Sequence, residues 1–221
     1  MAVLLPALSR ARKQAKAIVC QANLRQWSTA YCVYLTEYEG KIFEDSVSAK
    51  TDNVFTYLQC YLADCNERPT CPAAPRESED ADMVSQVNGS DLCFSPIGGY
   101  GHNWYLLGKT YDRLTGWSRF PVFFDCGLNS VFPRHTDPPP EYDGDFWLTR
   151  GVYETMKMVC VNRHSGRINM LFLDWSVRPV GLKEIWTLPW GSSFDTAGPW
   201  TKAGGVQPED WPQWMRSFRD Y

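Results

Sequence analysis

Apolar and small residues recur at Leu4, Leu8, Ala11, Ala15, Ile18 and Ala22, in alternating steps of four and three. A second row runs through Cys20, Leu24, Trp27, Tyr31, Leu35 (or Tyr34) and Tyr38. Two rows at this spacing predict an α-helix over 1–39. No Gly precedes Gly40, and Pro6 is the only Pro in the stretch. Gly40 is a natural stop, because glycine accepts the left-handed conformation that ends helices. At ~1.5 Å per residue such a helix is roughly 50 to 57 Å long. One small domain cannot cover that length, so part of it must project or pack on other copies. Its first half, to about Gln26, is expected to lie bare. Its second half is expected to pack on a sheet.

Beyond Gly40 the pattern becomes patchy. Residues 51–63 predict a short helix capped by Thr51 or Asp52, with Val54, Leu58 and Leu62 on its face. The stretch 70–91 is rich in Pro, Ser and acids and predicts a surface loop. A turn at Gly98–Gly99 feeds an expected strand over 100–107, and 119–126 (RFPVFFDC) reads as a buried strand. Residues 133–145 are Pro-rich loop. In the last third, 157–161 and 168–173 read as strands joined by a turn at His164-Ser165-Gly166. Asp174-Trp175-Ser176 is a second turn into a third strand, 177–180, followed by a short helix or 3₁₀ turn in LKEIWTLPW. The class is α+β: a long N-terminal helix packed on a C-terminal antiparallel sheet with irregular loops. It divides into a stem, 1–39, and a globular head, 40–221.

Charge adds an asymmetry. The net charge of −3 over 221 residues makes no case for nucleic acid. Yet Arg10, Arg12, Lys13, Lys16 and Arg25 occur before any acid, and acids dominate from Glu37 to Asp91. Cations beside an apolar N-terminal end suit an anionic lipid surface. A basic stem and an acidic first part of the head could also attract neighbouring copies. Met1 to Leu5 is too short for a signal-peptide core or a membrane span.

Eight cysteines are many for a chain of this size: Cys20, Cys32, Cys60, Cys65, Cys71, Cys93, Cys126 and Cys160. An even number fits a disulfide-permissive compartment, with the connectivity open. Cys60, Cys65 and Cys71 have four and five residues between them and no CxxC pair occurs, which disfavours zinc. Cys20 and Cys32 lie roughly 120° apart around the helix and cannot pair with each other. They could staple the stem to the head or be small buried residues.

Catalytic motifs are missing. The GGYG run lacks the Lys and Ser/Thr of a phosphate loop. The histidines are His102, His135 and His164. His164 and Asp174 bracket one strand, which sets them at its opposite ends, so they make no dyad. No catalytic residue or cofactor is expected. Asp143 and Asp145 flank Gly144 and could seat calcium, although a plain turn is the simpler account. Six of ten tryptophans fall at or after Trp175; packing is favoured over stacking on sugars.

The stretch LLPALSRARKQAKAIVCQANLRQWSTAYCVYLTEYEGKI resembles the N-terminal helix of prepilin-like proteins, the type IV pilins and type II secretion pseudopilins of the planctomycete type. The resemblance rests on Leu4-Leu5-Pro6-Ala7-Leu8, the basic run Arg10 to Lys16, and Asn23-Leu24-Arg25-Gln26. Cys71-Pro72 and Tyr100-Gly101-His102-Asn103 are similar to further short motifs of that group. His164, Gly166, Asn169 and Asp174 resemble its His-x9-Asp-Gly motif, with Trp175 in place of the Gly. A turn residue that tolerates positive φ is thereby exchanged for one that resists it.

The resemblance implies a structural subunit of a type IV pilus-like or type II secretion pseudopilus-like filament. Leu4, Leu5, Pro6, Leu8, Ala11, Ala15 and Ile18 would form the assembly helix. The implied partners are other copies, related pilin-like subunits, the inner-membrane assembly machinery and, for a full-length form, prepilin peptidase. The implied location is the inner membrane before assembly and a periplasmic or cell-surface filament afterwards. Relatives carry a basic leader and an apolar membrane segment ahead of this point, so the top of the stem is expected to be missing here. The alternative is a helix-tethered cell-surface binding module, for glycans through the Trp-rich tail.

Overall fold

The computed structural model describes residues 4–43, 58–62, 69–74, 99–111, 118–145 and 154–221. Helix α1 spans Leu4–Glu37, 34 residues. It ends where Glu39 and Gly40 take positive φ (52° and 75°), with Gly40 N–H donating to Leu35 O at 2.7 Å. The two apolar rows separate as their spacing demands. Cys20, Leu24, Trp27, Tyr31, Tyr34 and Leu35 are buried, while Leu5, Leu8 and Ile18 are exposed. Burial begins at Cys20, earlier than the expected boundary near Gln26. Cys20 and Leu24 share the stripe of Trp27 and Tyr31, and polar contacts extend the docking by another turn. Asn169 donates to Ala17 O at 3.2 Å and accepts from Gln21 at 3.0 Å.

Five strands form one sheet in the order β3-β1-β2-β4-β5. They are β1 (Tyr100–Asn103), β2 (Pro121–Asp125), β3 (Ser130–Val131), β4 (Arg167–Phe172) and β5 (Val177–Gly181). The pairs β1–β2, β2–β4 and β4–β5 are antiparallel, but β1–β3 is parallel. The sheet is therefore mixed rather than purely antiparallel. Along β4 the side chains alternate in period two. Leu171 and, just past the strand, Leu173 join the core under α1 together with Phe123. Ile168, Met170 and Phe172 join a second core with Phe124, Trp186, Trp190 and Trp211. The stem thus covers one face and the C-terminal tail the other.

Two expected strands differ. Residues 157–159 belong instead to a short helix α2, Met156–Val159, capped by Cys160, whose N–H donates to Met156 O at 2.9 Å, and Val161 follows in irregular chain. Met156, Met158, Val159, Cys160 and Val161 are all buried, and a short run whose one polar residue is Lys157 carries no period to tell helix from strand. The turn at His164 is real, with Ser165 and Gly166 at φ 56° and 81°, but it leads out of irregular chain rather than joining a hairpin. The first expected strand stops at Asn103, whose side chain accepts from Tyr105 N–H at 3.1 Å and starts a 3₁₀ turn. The turn at 174–176, strand β5 and the 3₁₀ turn Glu184–Thr187 fall where the pattern placed them. Trp175 does take positive φ, 66°. It is held there by stacking on Tyr111 (5.4 Å) and by its indole N–H, which donates to Tyr111 Oη at 3.1 Å. The helix expected over 51–63 falls largely outside the described residues, as do the caps Thr51 and Asp52. Within it, Gln59–Tyr61 form a 3₁₀ turn.

Candidate functional site

Four segments distant in sequence meet where the stem first touches the sheet. Cys20 is the first buried residue of α1. Cys71 lies on 69–74, which is fastened to α1 by Asn23 donating to Thr70 O (2.6 Å) and Trp27 Nε1 donating to Pro69 O (3.1 Å). Asp125 ends β2, and His164 sits in the turn before β4. Their donor atoms all lie within 4.8 Å of one another, and all four residues are buried. Cys20 Sγ stands 3.3 Å from Asp125 Oδ1, Cys71 Sγ 3.6 Å from His164 Nε2, and His164 Nε2 3.1 Å from Asp125 Oδ2.

Asp125 is the hub. Its side chain is fully buried, and Asn169 N–H donates to Oδ2 at 2.7 Å. Arg163 Nη1 lies 3.6 Å from Oδ1. That guanidinium is itself oriented by donating to Gly99 O and, at 2.7 Å, to Cys126 O. Gly99 has φ 73°, and a Cβ there would collide with Arg163 Nη1, so the close approach requires glycine. Tyr100 Oη donates to Cys20 O at 3.2 Å.

The cluster shifts proton affinities in opposite directions. Burial works to raise the Asp125 pKa, but the His164 hydrogen bond and the charges of Arg163 and His164 outweigh it and hold the carboxyl below its usual range. Burial works to lower His164, yet its bonds to Asp125 and Cys71 carry it up to about 9. The hydrogen bond from Cys20, helped by His164 and Arg163, brings Cys71 down to about 6 against its burial. Cys20 is pushed up, first by that same hydrogen bond to Cys71 and then by burial and the Asp125 charge.

Cys71, His164 and Asp125 are the residue types of a nucleophilic triad, but their geometry is different. A relay needs the thiol and the carboxylate on opposite ring nitrogens. Here both face Nε2, and Nδ1 is buried with no partner among the described residues. The atoms converge on a point instead of forming a line.

The sequence singles out Cys20, Cys71 and His164 separately, and no motif marks Asp125 or Arg163. The signal for Asp125 was a lone carboxylate closing the apolar run RFPVFFDC. Of the residues that resemble the His-x9-Asp-Gly motif, His164 and Asn169 reach the cluster. Gly166 holds the turn, its N–H donating to Asn162 Oδ1 at 2.7 Å. Asp174 lies exposed at the far end of β4, where Oδ1 accepts from Ser176 N–H at 3.0 Å.

The other singled-out residues lie apart. Leu5, Pro6, Leu8, Ala11, Ala15 and Ile18 are exposed on the free half of α1; Leu4 opens it. Asp143 Oδ1 accepts from Asn162 N–H, whereas Asp145 Oδ2 accepts from Glu141 N–H and pairs with Lys157 at 3.7 Å. These two carboxylates serve different partners. Trp186, Trp190 and Trp211 are buried, and Trp175, Trp200 and Trp214 are half-buried. Cys20, Cys32, Cys60, Cys71, Cys126 and Cys160 carry free thiols; Cys65 and Cys93 lie outside the described residues.

Among the described residues, no helix is long and apolar enough to cross a membrane. No family model, curated protein or solved structure matches this chain.

Proposed function

We propose that this chain is a structural, non-catalytic subunit of a pilus-like or pseudopilus-like filament, in which the free half of α1 packs against other copies or related pilin-like subunits. One observation carries the reading. The stem leaves the head with its apolar residues uncovered: Leu5 is 72% exposed, Leu8 49%, Ile18 65% and Val19 48%. Interleaved with them, Arg10, Arg12, Lys13 and Lys16 are exposed and form no ion pair among the described residues. An apolar row on a projecting helix costs free energy in water, at about 25 cal/mol per Å² left uncovered, until it is buried. Filament packing buries such a row along its whole length, and the basic residues between would meet acidic heads or anionic lipid. The resemblance at both ends of the chain supports the same reading. On this reading the protein would sit in the inner membrane before assembly and in a periplasmic or surface filament afterwards.

The test is cross-linking in cells. Leu8→Cys and Ile18→Cys, introduced into the protein as it is expressed in cells, are expected to give ladders of multimers with a thiol-reactive linker. Ile18→Asp should abolish the ladders without altering the far-ultraviolet circular dichroism. Monomer alone for both cysteine variants would overturn the reading.

A further inference from the structure

The convergence on His164 Nε2 calls for an occupant. We propose that Cys20, Cys71, Asp125 and His164 form a closed, structural site for one thiophilic divalent cation, with Zn²⁺ the best fit, which locks the stem helix to the sheet. The inference stands on the cluster alone and does not depend on filament formation.

Geometry is the first argument. Tetrahedral zinc with bonds of about 2.3 Å to sulfur and about 2.0 to 2.2 Å to nitrogen and oxygen has ligand-to-ligand edges of roughly 3.3 to 3.8 Å. The observed separations are 3.6 Å (Cys71 Sγ–His164 Nε2), 3.3 Å (Cys20 Sγ–Asp125 Oδ1) and 3.1 Å (His164 Nε2–Asp125 Oδ2), the last two to different oxygens of one carboxylate. All remaining pairs fall within 4.8 Å. The three measured separations lie within a few tenths of an ångström of tetrahedral values, and side-chain torsions, including rotation of the Asp125 carboxylate, can draw the remaining donors in.

Chemistry is the second. Two thiolates, one imidazole and one carboxylate suit a borderline-soft ion and not calcium or magnesium, which take oxygen ligands. Three anionic ligands and a doubly charged cation leave one negative charge. Arg163, held 3.6 Å from Asp125, answers it. Asn169 N–H on Oδ2 orients the carboxylate, as supporting shells do in metal sites. Four protein ligands with no open position mark a structural rather than a hydrolytic centre. Uptake releases the ligands' protons to solvent, and no electron is transferred.

Placement is the third. Cys20 and Asp125 are 105 residues apart, and Cys71 and His164 are 93. An ion here ties α1, the 69–74 segment, β2 and the turn before β4 together at the boundary where the stem becomes free. A Cys20–Cys71 disulfide would use the same sulfurs. It would leave unexplained why Asp125 and His164 aim at the same point.

The experiment is a Co²⁺ titration of the whole chain, purified with reductant and stripped with chelator. One equivalent is expected to bind, giving a sulfur-to-cobalt charge-transfer band and visible bands of tetrahedral intensity, both erased by Zn²⁺. Zn²⁺ should also raise the melting temperature. Cys71→Ser is expected to weaken binding at least ~10-fold, and Cys60→Ser, at an exposed thiol, to leave it unchanged. Absence of the band in natively folded protein would overturn the proposal. So would a band that survives Cys71→Ser, or a Cys20–Cys71 disulfide in protein whose thiols were blocked at lysis. If Cys71→Ser does not fold, X-ray absorption of the wild-type Zn²⁺ form decides: two sulfurs with nitrogen and oxygen support the site, and an all-oxygen shell refutes it.

Discussion

Consider Asp125→Asn in metal-free, reduced protein. The amide fills the same volume and can still accept the Asn169 N–H now made at 2.7 Å. What disappears is the charge that compensates Arg163 and His164 inside the protein. Removing one member of a buried ionic group costs about 3–5 kcal/mol, because the partner is left uncompensated. The His164 share can be worked separately. Its pKa of about 9 lies above its unfolded value, so the stability it contributes is present at neutral pH and fades as pH rises through about 9. Two pH units at about 1.4 kcal/mol each give roughly 3 kcal/mol, in line with the first figure. Urea unfolding followed by tryptophan fluorescence reads the change. With a slope of about 2 kcal/mol/M, the midpoint should fall by about 1.5–2.5 M. The loss should shrink above the His164 value, where wild-type His164 is already neutral. A loss under about 1 kcal/mol, or one that does not change between neutral and high pH, refutes the account of Asp125 as the electrostatic hub.

Further outcomes follow from particular packing contacts. Gly101→Ala places a Cβ 2.6 Å from Leu128 O and 2.7 Å from Cys126 Cβ, in buried backbone that cannot yield, so a destabilisation of about 1–3 kcal/mol is expected by thermal melting. His102 is fully buried between Phe43 and Phe123, and burial pushes its pKa down to about 3. The unfolded chain then binds a proton that the native one refuses, so stability should fall by up to about 1.4 kcal/mol per pH unit below about 6.5. His102→Leu should flatten that slope, and an unchanged slope assigns the acid sensitivity elsewhere. Trp175→Gly relieves the positive φ at 175 but forfeits the contacts with Tyr111 and Tyr31; a net loss of about 1–2 kcal/mol in chemical denaturation is expected, since burial of a large ring exceeds the backbone strain.

Much of the scaffold could be read from residue order, because it depends on local periodicity. The stem's two rows, the Gly40 stop, and the β4–turn–β5 hairpin each need only a few neighbouring residues to declare themselves. The same holds for the packing role of the tail: Trp186, Trp190 and Trp214 donate their indole protons to backbone carbonyls inside the head. Trp175 shows the limit of local rules. Its backbone takes the conformation expected of glycine because aromatic neighbours far along the chain compensate.

Residue order left undecided everything set by contacts between distant segments. Apart from Lys157 the run 157–161 is apolar, and only burial against distant segments makes its first three residues part of a helical turn. The parallel β3 has two residues, too few to carry a period. The cluster of Cys20, Cys71, Asp125 and His164 has no spacing that a motif could capture, since each member arrives on a different element. Asp125 reads as an odd charge at the end of a hydrophobic strand until the fold brings Arg163, His164 and two thiols to meet it. A buried carboxylate needs such partners. The sequence states that need, and long-range packing alone supplies them.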